Sequence, residues 1–282
     1  METFDSNEAK RGYLKGDFEF FHLKDMKNVQ FEYHYHDFSK IIVFLSGNVT
    51  YLVEGKAYLL KPWDILFISG SEVHKALIDP YVFYERIVLW VNHGFLEKHS
   101  DDCCLMTCFD MTAEKNCNLL RPDPISQNGL EYMLARLEEA CRNDGFGSAI
   151  LKNAILLQLL VELTRERLRI GALHEASDMF TDSSIQKLLD YINANISGDL
   201  SIEALAARFY MSRYYLMHKF KQQTGYSIHS YIQQKRLIKA DALIRSGMTA
   251  SQASEQCGFN DYSSFARAFK KMFGSTPRDH SK

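Results

Sequence analysis

The sequence LSIEALAARFYMSRYYLMHKFKQQTG, residues 200–225, has the pattern of a short helix, a tight turn and a second helix. The same pattern returns in GMTASQASEQCGFNDYSSFARAFKKMFG, residues 247–274. Each predicted helix follows a polar residue that is suited to cap its free N–H groups. These capping residues are Ser201, Ser212, Thr249 or Ser251, and Asn260 or Asp261. Two copies of the pattern predict that this part of the chain is all-α.

The second helix of each copy has one apolar face and one exposed face. Two large apolar residues four positions apart predict the buried face: Leu216 with Phe220, and Phe265 with Phe269. The opposite faces carry Arg213, Tyr214, Met217, His218 and Lys221 in the first copy, and Tyr262, Ser263, Arg267 and Lys270 in the second. This arrangement is the plan of a helix-turn-helix DNA reader. A helical bundle with a solvated charged face is the alternative, and the repetition favours DNA binding.

The segment between the two copies, residues 227–246, predicts a helix of its own. Twenty helical residues span about 30 Å, which is close to the roughly 34 Å between successive major grooves on one face of the duplex. Such a rod would hold two readers in neighbouring grooves. Within the readers, Arg267 is the strongest candidate for base reading, because arginine can bond guanine with two hydrogen bonds.

The second copy carries a long motif that resembles the DNA-binding domain of the AraC/XylS family of bacterial transcription regulators. The matching residues are Ala253, Cys257-Gly258-Phe259, Tyr262, Phe265, Arg267, Phe269-Lys270-Lys271, Phe273-Gly274 and Thr276-Pro277. The resemblance implies two readers joined by a linker helix, double-stranded promoter DNA as the partner, and RNA polymerase as a candidate second partner.

Composition and charge suit a two-domain protein. The chain has 282 residues, 46% of them hydrophobic and 24% charged, with a net charge of −2. From Phe180 onward there are 14 Lys and Arg against 8 Asp and Glu, a net +6, which leaves −8 for the preceding residues. A basic C-terminal part fits a phosphate-binding surface, and an acidic N-terminal part does not. The polar N-terminus and the lack of a long apolar run predict a cytoplasmic protein without membrane contact, whose six cysteines are reduced.

Residues 29–91 have the texture of an all-β domain, in which short apolar runs alternate with turn residues. The predicted strands are FEYHYH (31–36), KIIVFLSG (40–47), NVTYLVEG (48–55), KAYLLK (56–61), DILFIS (64–69) and YERIVLWV (84–91), after an edge strand around 18–22. Many short strands at this spacing predict a sandwich or a barrel.

Histidines in this region suggest a site. His34-x-His36, the run PWDILFI at 62–68 and His74 resemble the cupin barrel that serves as the effector domain of many AraC-like regulators. Metal-binding cupins use His-x-His, a Glu a few residues later and a further His, whereas this chain has Ser39-Lys40 where that Glu is expected. Trp63 replaces a glycine that is common in the turn.

We therefore expect His34, His36, Trp63 and His74 to bind a small-molecule effector, a sugar or a related metabolite, with no cofactor. No metal is predicted, because Lys40 would repel a cation. A metal site at His34, His36 and His74 stays as an alternative. Two other functions also stay open: a metal-dependent cupin enzyme fused to a DNA-binding domain, and a constitutive DNA-binding protein with a structural barrel.

The pattern breaks down in residues 92–123, where four cysteines cluster: Cys103, Cys104, Cys108 and Cys117. Their spacing is not that of paired zinc ligands. The preferred interpretation is reduced cysteines on a strand and a loop, and a redox or soft-metal sensor is the alternative.

Two amphipathic helices are predicted after this stretch, at 129–143 and 148–170. The second helix is apolar around more than half its girth, so it needs cover on two sides. One side would pack on the barrel and the other on a second copy of the protein, and the family resemblance also implies a homodimer through such helices. A purely intramolecular helical pair is the alternative.

The sequence thus predicts an α+β fold with two domains, an N-terminal cupin-like β-barrel with a helical pair and a C-terminal all-α domain. The predicted boundaries are 1–125 for the effector domain, 126–171 for the dimerisation helices, 172–182 for the linker and 183–282 for the DNA-binding domain. The predicted function is a DNA-binding transcription regulator controlled by an effector. No enzymatic activity is expected, because nothing supplies a clear acid–base pair.

Overall fold

The computed structural model describes residues 14, 16–26, 34–36, 38–70, 72–114, 117–170, 179–181 and 183–280. The chain divides into two compact units, one within residues 1–53 and 57–180 and the other within residues 54–56 and 181–282. None of the described helices combines the length and the apolar character needed to cross a membrane.

Strands dominate the first part of the chain. The described residues form β1 (Phe18–Asp25), β2 (Ser39–Ser46), β3 (Val49–Val53), β4 (Lys56–Leu59), β5 (Ile65–Ile68), β6 (His74–Ile78), β7 (Tyr84–Val91), β8 (Leu119–Leu120) and β9 (Met179–Thr181). They make a five-stranded sheet in the order β1-β7-β2-β5-β8 and a four-stranded sheet in the order β6-β3-β4-β9. The long central pairs are antiparallel, with Lys40 of β2 opposite both Trp90 of β7 and Ile68 of β5.

The described residues of the first unit also form four helices. They are α1 (His93–Lys98), α2 (Thr107–Glu114), α3 (Pro124–Arg142) and α4 (Ser148–Ile170). Asp123 caps α3 by accepting hydrogen bonds from the N–H groups of Ile125 and Ser126, and Pro124 stands in the first turn, where its missing N–H costs nothing.

The five-stranded sheet is covered on both faces. Alternate β2 side chains such as Ile42 and Phe44 pack in a core shared with β3, β4 and β6. Their neighbours Ile41 and Val43 pack with helices α1 to α4. The six residues 39–44 are therefore all buried, which explains why this strand reads as one apolar run rather than an alternation. The unit has three layers, in the order sheet, sheet and helices.

The second unit is helical. Its described helices are α5 (Ser183–Ala194), α6 (Ile202–Arg208), α7 (Arg213–Thr224), α8 (Ile228–Arg245), α9 (Ala250–Gln256) and α10 (Tyr262–Phe273), followed by a 3₁₀ turn at Pro277–His280. The pairs α6–α7 and α9–α10 are the two helix-turn-helix motifs, and α8 joins them. The predicted α+β fold with a β domain, a helical pair and a C-terminal all-α domain is confirmed.

Capping residues set the limits of these helices as the sequence predicts. Ser201, Ser212, Thr249 and Asp261 each accept a backbone N–H bond at the start of α6, α7, α9 and α10, respectively. Thr249 also forms a reciprocal capping box with Gln252. Since caps determine where each helix begins, both motifs are encoded locally.

Some predicted elements differ from the structure. Residues 92–123 contain the helices α1 and α2, so the prediction that the cysteines lie on a strand and a loop is wrong for Cys108, which is buried in α2. Helix α3 begins at Pro124 rather than at 129, and β6 was not predicted as a strand. In the predicted linker 172–182, residues 179–181 form β9, and the rest lies outside the described residues.

The predicted strand at 31–36 can be compared with the structure only in part. His34 pairs with His74 in an isolated antiparallel bridge, with backbone N–O distances of 3.1 and 2.9 Å, while residues 31–33 lie outside the described residues. This bridge places His34, the first residue of the His34-x-His36 motif, next to His74 at the start of β6.

Candidate functional site

The helices α7 and α10 are built on the same frame. Each has twelve residues, and each ends at a glycine in the left-handed region, Gly225 with φ 77° and Gly274 with φ 76°. The buried side chains fall at equivalent positions, Leu216 with Phe265 and Phe220 with Phe269, and all four have 0% exposure. The remaining faces of the two helices are therefore presented to solvent in the same way.

The sequence-predicted reading residues lie on those solvent faces. All nine are exposed: Arg213, Tyr214, Met217, His218, Lys221, Tyr262, Ser263, Arg267 and Lys270. The structure brings them together in two groups, five residues on α7 and four on α10. An exposed, polar or basic helix face behind a short helix is the geometry with which helix-turn-helix proteins enter the major groove.

The two groups differ in their local bonds. Arg213 lies 3.0 Å from Glu203 of α6, and both side chains are exposed. Tyr214 stacks on His218 with the two ring planes 7° apart. In α10, Arg267 folds along its own helix and donates to the Ser263 carbonyl and to Ser264 Oγ, both at 3.3 Å. No carboxylate holds Arg267 among these hydrogen bonds, so its guanidinium is available to a partner.

Arg236 of α8 was not identified from the sequence. Its guanidinium donates to three backbone carbonyls: those of Ile196 at 2.8 Å, Gly198 at 2.8 Å and Gly258 at 2.7 Å. The first two precede the first motif, and the third lies in the turn of the second. One side chain therefore ties both motifs to the linker helix, a role that depends on long-range contacts that no local pattern encodes.

The first unit contains a second cluster of polar side chains. His34, His36 and His74 are buried. One ring nitrogen from each of them can be chosen so that the three nitrogens all lie within 4.8 Å of one another. Lys40 is also buried, and its Nζ lies 2.8 Å from His36 Nε2 and 3.2 Å from His74 Nε2. We call these four residues the Lys40 cluster. It occupies the inner face of the five-stranded sheet, since Lys40 shares the face of Ile42 and Phe44.

Hydrogen bonds fix the protonation pattern of the cluster. His74 Nδ1 donates to the carbonyl of Glu72 at 2.9 Å, which leaves its Nε2 to accept from Lys40. Burial lowers the pKa of His74 well below its usual value, and the neighbouring His34, Lys40 and His36 lower it further. Burial, followed by the positive charge of Arg86, lowers the pKa of Lys40 to about 7.

A metal ion does not fit this arrangement. It would need lone pairs on the three imidazoles, and two of those lone pairs already accept hydrogen bonds from Lys40 Nζ. Lys40 is thus bonded to two of the three imidazoles that would have to ligate the ion. The Lys40 cluster therefore does not offer the free donor set that the metal-site alternative requires.

Trp63, the fourth predicted effector residue, lies elsewhere. It occupies the turn between β4 and β5 with φ 71°, and its side chain packs against the core formed with the helices. The structure does not bring it together with His34, His36 and His74. Trp90 of β7 was not predicted and lies closer, because its ring is 5.9 Å from that of His36 and 4.7 Å from that of Phe38.

Comparisons with known proteins match both parts of the chain. A family model described as "AraC-like ligand binding domain" matches residues 19–160, and one described as "Helix-turn-helix domain" matches residues 205–282. The HTH-type transcriptional activator RhaS of Escherichia fergusonii is 26% identical over 255 residues and covers 88% of this chain and 87% of its own. RhaS of Citrobacter koseri is 24% identical over 268 residues with the same coverage. The solved structure of ToxT from Vibrio cholerae covers 94% of this chain and 98% of its own, at 13% identity and a TM-score of 0.35.

The lowered pKa of Lys40 predicts a pH-dependent stability of the first unit. Between pH 7 and the ordinary lysine value of 10.5, the unfolded chain holds the Lys40 proton and the folded chain releases it. Stability should therefore rise with pH across this window, by at most about 1.4 kcal/mol per pH unit. The variant Lys40→Met should lack this rise. Urea unfolding followed by tryptophan fluorescence measures it, because both tryptophans, Trp63 and Trp90, lie in the first unit.

The exposed Lys98 of α1 supplies the matched control, since Lys98→Met should keep the slope of the wild-type protein. Parallel pH profiles for the wild type and Lys40→Met would show that Lys40 is charged in the folded unit throughout the range, contrary to the prediction.

Proposed function

Because this chain belongs to the AraC family of transcription regulators, we propose that a small metabolite bound in its first unit controls how its second unit acts on promoter DNA. The observation that carries the proposal is the Lys40 cluster. Four polar side chains converge inside an otherwise apolar core, and ligand sites combine apolar walls with a few convergent polar groups in this way. We also propose that the protein acts in the cytoplasm, where promoter DNA lies, with RNA polymerase as the partner through which it acts.

A sugar or a related polyhydroxy metabolite is the effector that these groups favour. The Lys40 ammonium has a third hydrogen beyond the two that it donates to His36 and His74, and it can bond a ligand hydroxyl group. The rings of His36 and Phe38 stack at 4.5 Å, and Phe38 contacts Trp90, so the cluster also has flat apolar faces. The buried Trp90 Nε1 has no hydrogen-bond acceptor among the described residues, and a ligand oxygen would supply one.

Ligand binding must favour one functional state over another to regulate anything. The effector hypothesis therefore requires two linked results, stabilisation of the first unit and a change in promoter affinity. A ligand present at about 100 times its Kd adds about 2.7 kcal/mol to the stability of the unit that binds it.

We expect a thermal-shift screen of sugars and sugar derivatives, read by tryptophan fluorescence, to identify such a ligand. Lys40→Met should abolish the shift, and Lys98→Met should keep it. The same ligand should change both promoter affinity and transcription by purified RNA polymerase. A shift produced only by divalent metals would contradict the effector assignment, and unchanged promoter affinity with the bound ligand would contradict regulation.

The solvent faces of α7 and α10 are the surfaces that we propose for DNA reading. Lysines there, such as Lys221 and Lys270, would contact phosphates and set affinity without sequence information, while Arg267 would bond a guanine edge.

Arg267→Ala should weaken binding to the preferred site by ~1–3 kcal/mol and relax the preference at one base pair. Lys270→Ala on the same helix is the matched control, because the loss of a phosphate contact weakens all sequences alike and lowers the salt dependence of binding. Titration of a panel of single-base site variants at two salt concentrations checks both. Equal weakening of every site by Arg267→Ala would make Arg267 a phosphate contact instead.

We further propose a homodimer that forms through α4. At the start of this helix Ile150 is 77% exposed and its neighbour Leu151 is 47% exposed, whereas Ile155 and Leu159, on the opposite side of the helix from Ile150, are buried. The exposed Ile150 and Leu151 form an apolar patch that the fold of one chain leaves uncovered, and association of two copies would bury it.

Sedimentation velocity tests this association. Ile150→Glu should convert the dimer to a monomer at micromolar concentration, because a carboxylate would be desolvated in the apolar contact. Lys98→Glu, an exposed change on α1, should leave the dimer intact. A monomeric wild-type protein, or a dimer that tolerates Ile150→Glu, would contradict the proposed interface.

A further inference from the structure

The two reading helices have the same frame but present different chemistry to solvent. The shared length, caps and buried positions of α7 and α10 place Tyr214 at the position of Ser263, Met217 at that of Ala266 and His218 at that of Arg267. The second helix thus presents a small hydroxyl and a guanidinium where the first presents a phenol ring, a thioether and an imidazole. Equivalent geometry with different groups predicts different base preferences.

The solvent face of α7 carries exposed apolar side chains beside its polar ones. Tyr214 is 76% exposed, and Met217, three positions later and therefore on the same side of the helix, is 44% exposed. Tyr210, in the turn before the helix, is 97% exposed with φ 52°. Its side chain stands at the entrance of the helix. A monomer gains nothing from placing these side chains in water, so this face is suited to an apolar surface of a partner.

Two cations that flank Tyr214 and Met217 already have partners in the second unit. Arg213 precedes Tyr214 and lies 3.0 Å from the Glu203 carboxylate. Lys219 donates to Ser184 Oγ at 2.9 Å, and its Nζ lies 5.3 Å from the centre of the Tyr215 ring. Beside His218 and Lys221, the α7 face therefore offers apolar contact from Tyr214 and Met217, whereas α10 offers the guanidinium of Arg267.

In the major groove, the thymine C5-methyl group is the apolar feature of the base edges, whereas guanine presents two acceptors that arginine bonds. We propose that α7 recognises thymine methyl groups through Met217 and Tyr214, so that the half-site under α7 is thymine-rich and chemically unlike the half-site under α10. This inference rests on the DNA-reading role proposed above. Because the two half-sites differ, the chain binds its site in one orientation.

Removal of single methyl groups from DNA tests the inference directly. Selection of a randomised duplex library with the full-length protein yields preferred sites, and repeat selections with Met217→Ala and Arg267→Ala assign each half-site to its helix. Each thymine is then replaced by deoxyuridine, which removes the methyl group and keeps the base-pair hydrogen bonds. We expect one or two replacements in the α7 half-site to weaken binding by about fourfold each, the value of one buried methyl-sized group.

The same replacements supply the controls. Deoxyuridine in the α10 half-site or in the flanks should leave the affinity unchanged. Against the double variant Tyr214→Ala, Met217→Ala, deoxyuridine in the α7 half-site should have no further effect. Lys221→Ala, on the same helix, should weaken binding to every sequence and keep the full sensitivity to deoxyuridine. All four side chains that are changed are exposed, and thermal unfolding confirms that each variant is folded.

Two results overturn the inference alone: deoxyuridine is tolerated throughout the α7 half-site, or its penalty persists in the double variant. In either case α7 reads its half-site through polar base edges or phosphates, or its apolar face serves a protein partner. A library that yields no enriched sequence overturns the proposed DNA-reading role as well, so the two failures are distinguishable.

Discussion

The three carbonyl bonds of Arg236 are the interaction on which the geometry of the second unit depends. A planar guanidinium donates in three directions at once and loses little freedom per bond, which a lysine ammonium cannot match. Its acceptors are main-chain oxygens at residues 196, 198 and 258, and such groups cost free energy if they are buried without a donor. The first motif, the linker helix and the second motif are therefore held by one residue.

Gly258 shows how tightly this contact constrains the sequence. It has φ 80°, which favours glycine, and a Cβ at this position would lie 3.0 Å from Arg236 Cζ and 3.0 Å from the Ser197 carbonyl. A larger residue would thus strain the turn of the second motif and displace the guanidinium from its acceptors. Gly258, just after the C-terminal end of α9, also leaves the space in which the Arg236 side chain of α8 reaches the turn.

Lys40 organises the inner face of the first unit in a comparable way. A buried ammonium normally pairs with a carboxylate, but the acceptors here are the Nε2 atoms of His36 and His74. Lowering of the Lys40 pKa to about 7 reduces the cost of burial, and the bonds between β2 and β6 link the two sheets. Lys40, the residue whose charge argued against a metal site in the sequence, thus bonds to two of the histidines that would have to ligate the metal.

Local sequence signals predicted much of the fold. The features that the sequence analysis missed are those that depend on contacts between residues far apart in the chain. Capping residues and buried pairs gave both helix-turn-helix motifs, and the limits of α4 and β7 agree with the prediction. Helix α1 has six residues and buries only Phe95 and Leu96, too short a pattern to detect, since tertiary packing stabilises it. The two tryptophans show the same limit at the site. Trp63 packs against the core formed with the helices, whereas Trp90 lies near His36, and the sequence pattern around the turn at 61–64 did not predict this difference.

The helices α7 and α10 show how one chain can repeat the same helix framework with different exposed residues. The stability of each helix depends on its N-terminal cap, its terminal glycine and two buried Leu or Phe side chains. These features fall at equivalent positions in the two helices. The exposed positions contribute little to folding, since substitutions at such positions usually change stability by about 0.5 kcal/mol or less. Tyr214 and Met217 can therefore differ from Ser263 and Ala266 without a cost to the fold. The surface that we propose for DNA reading is the part of each motif that the folding constraints leave free.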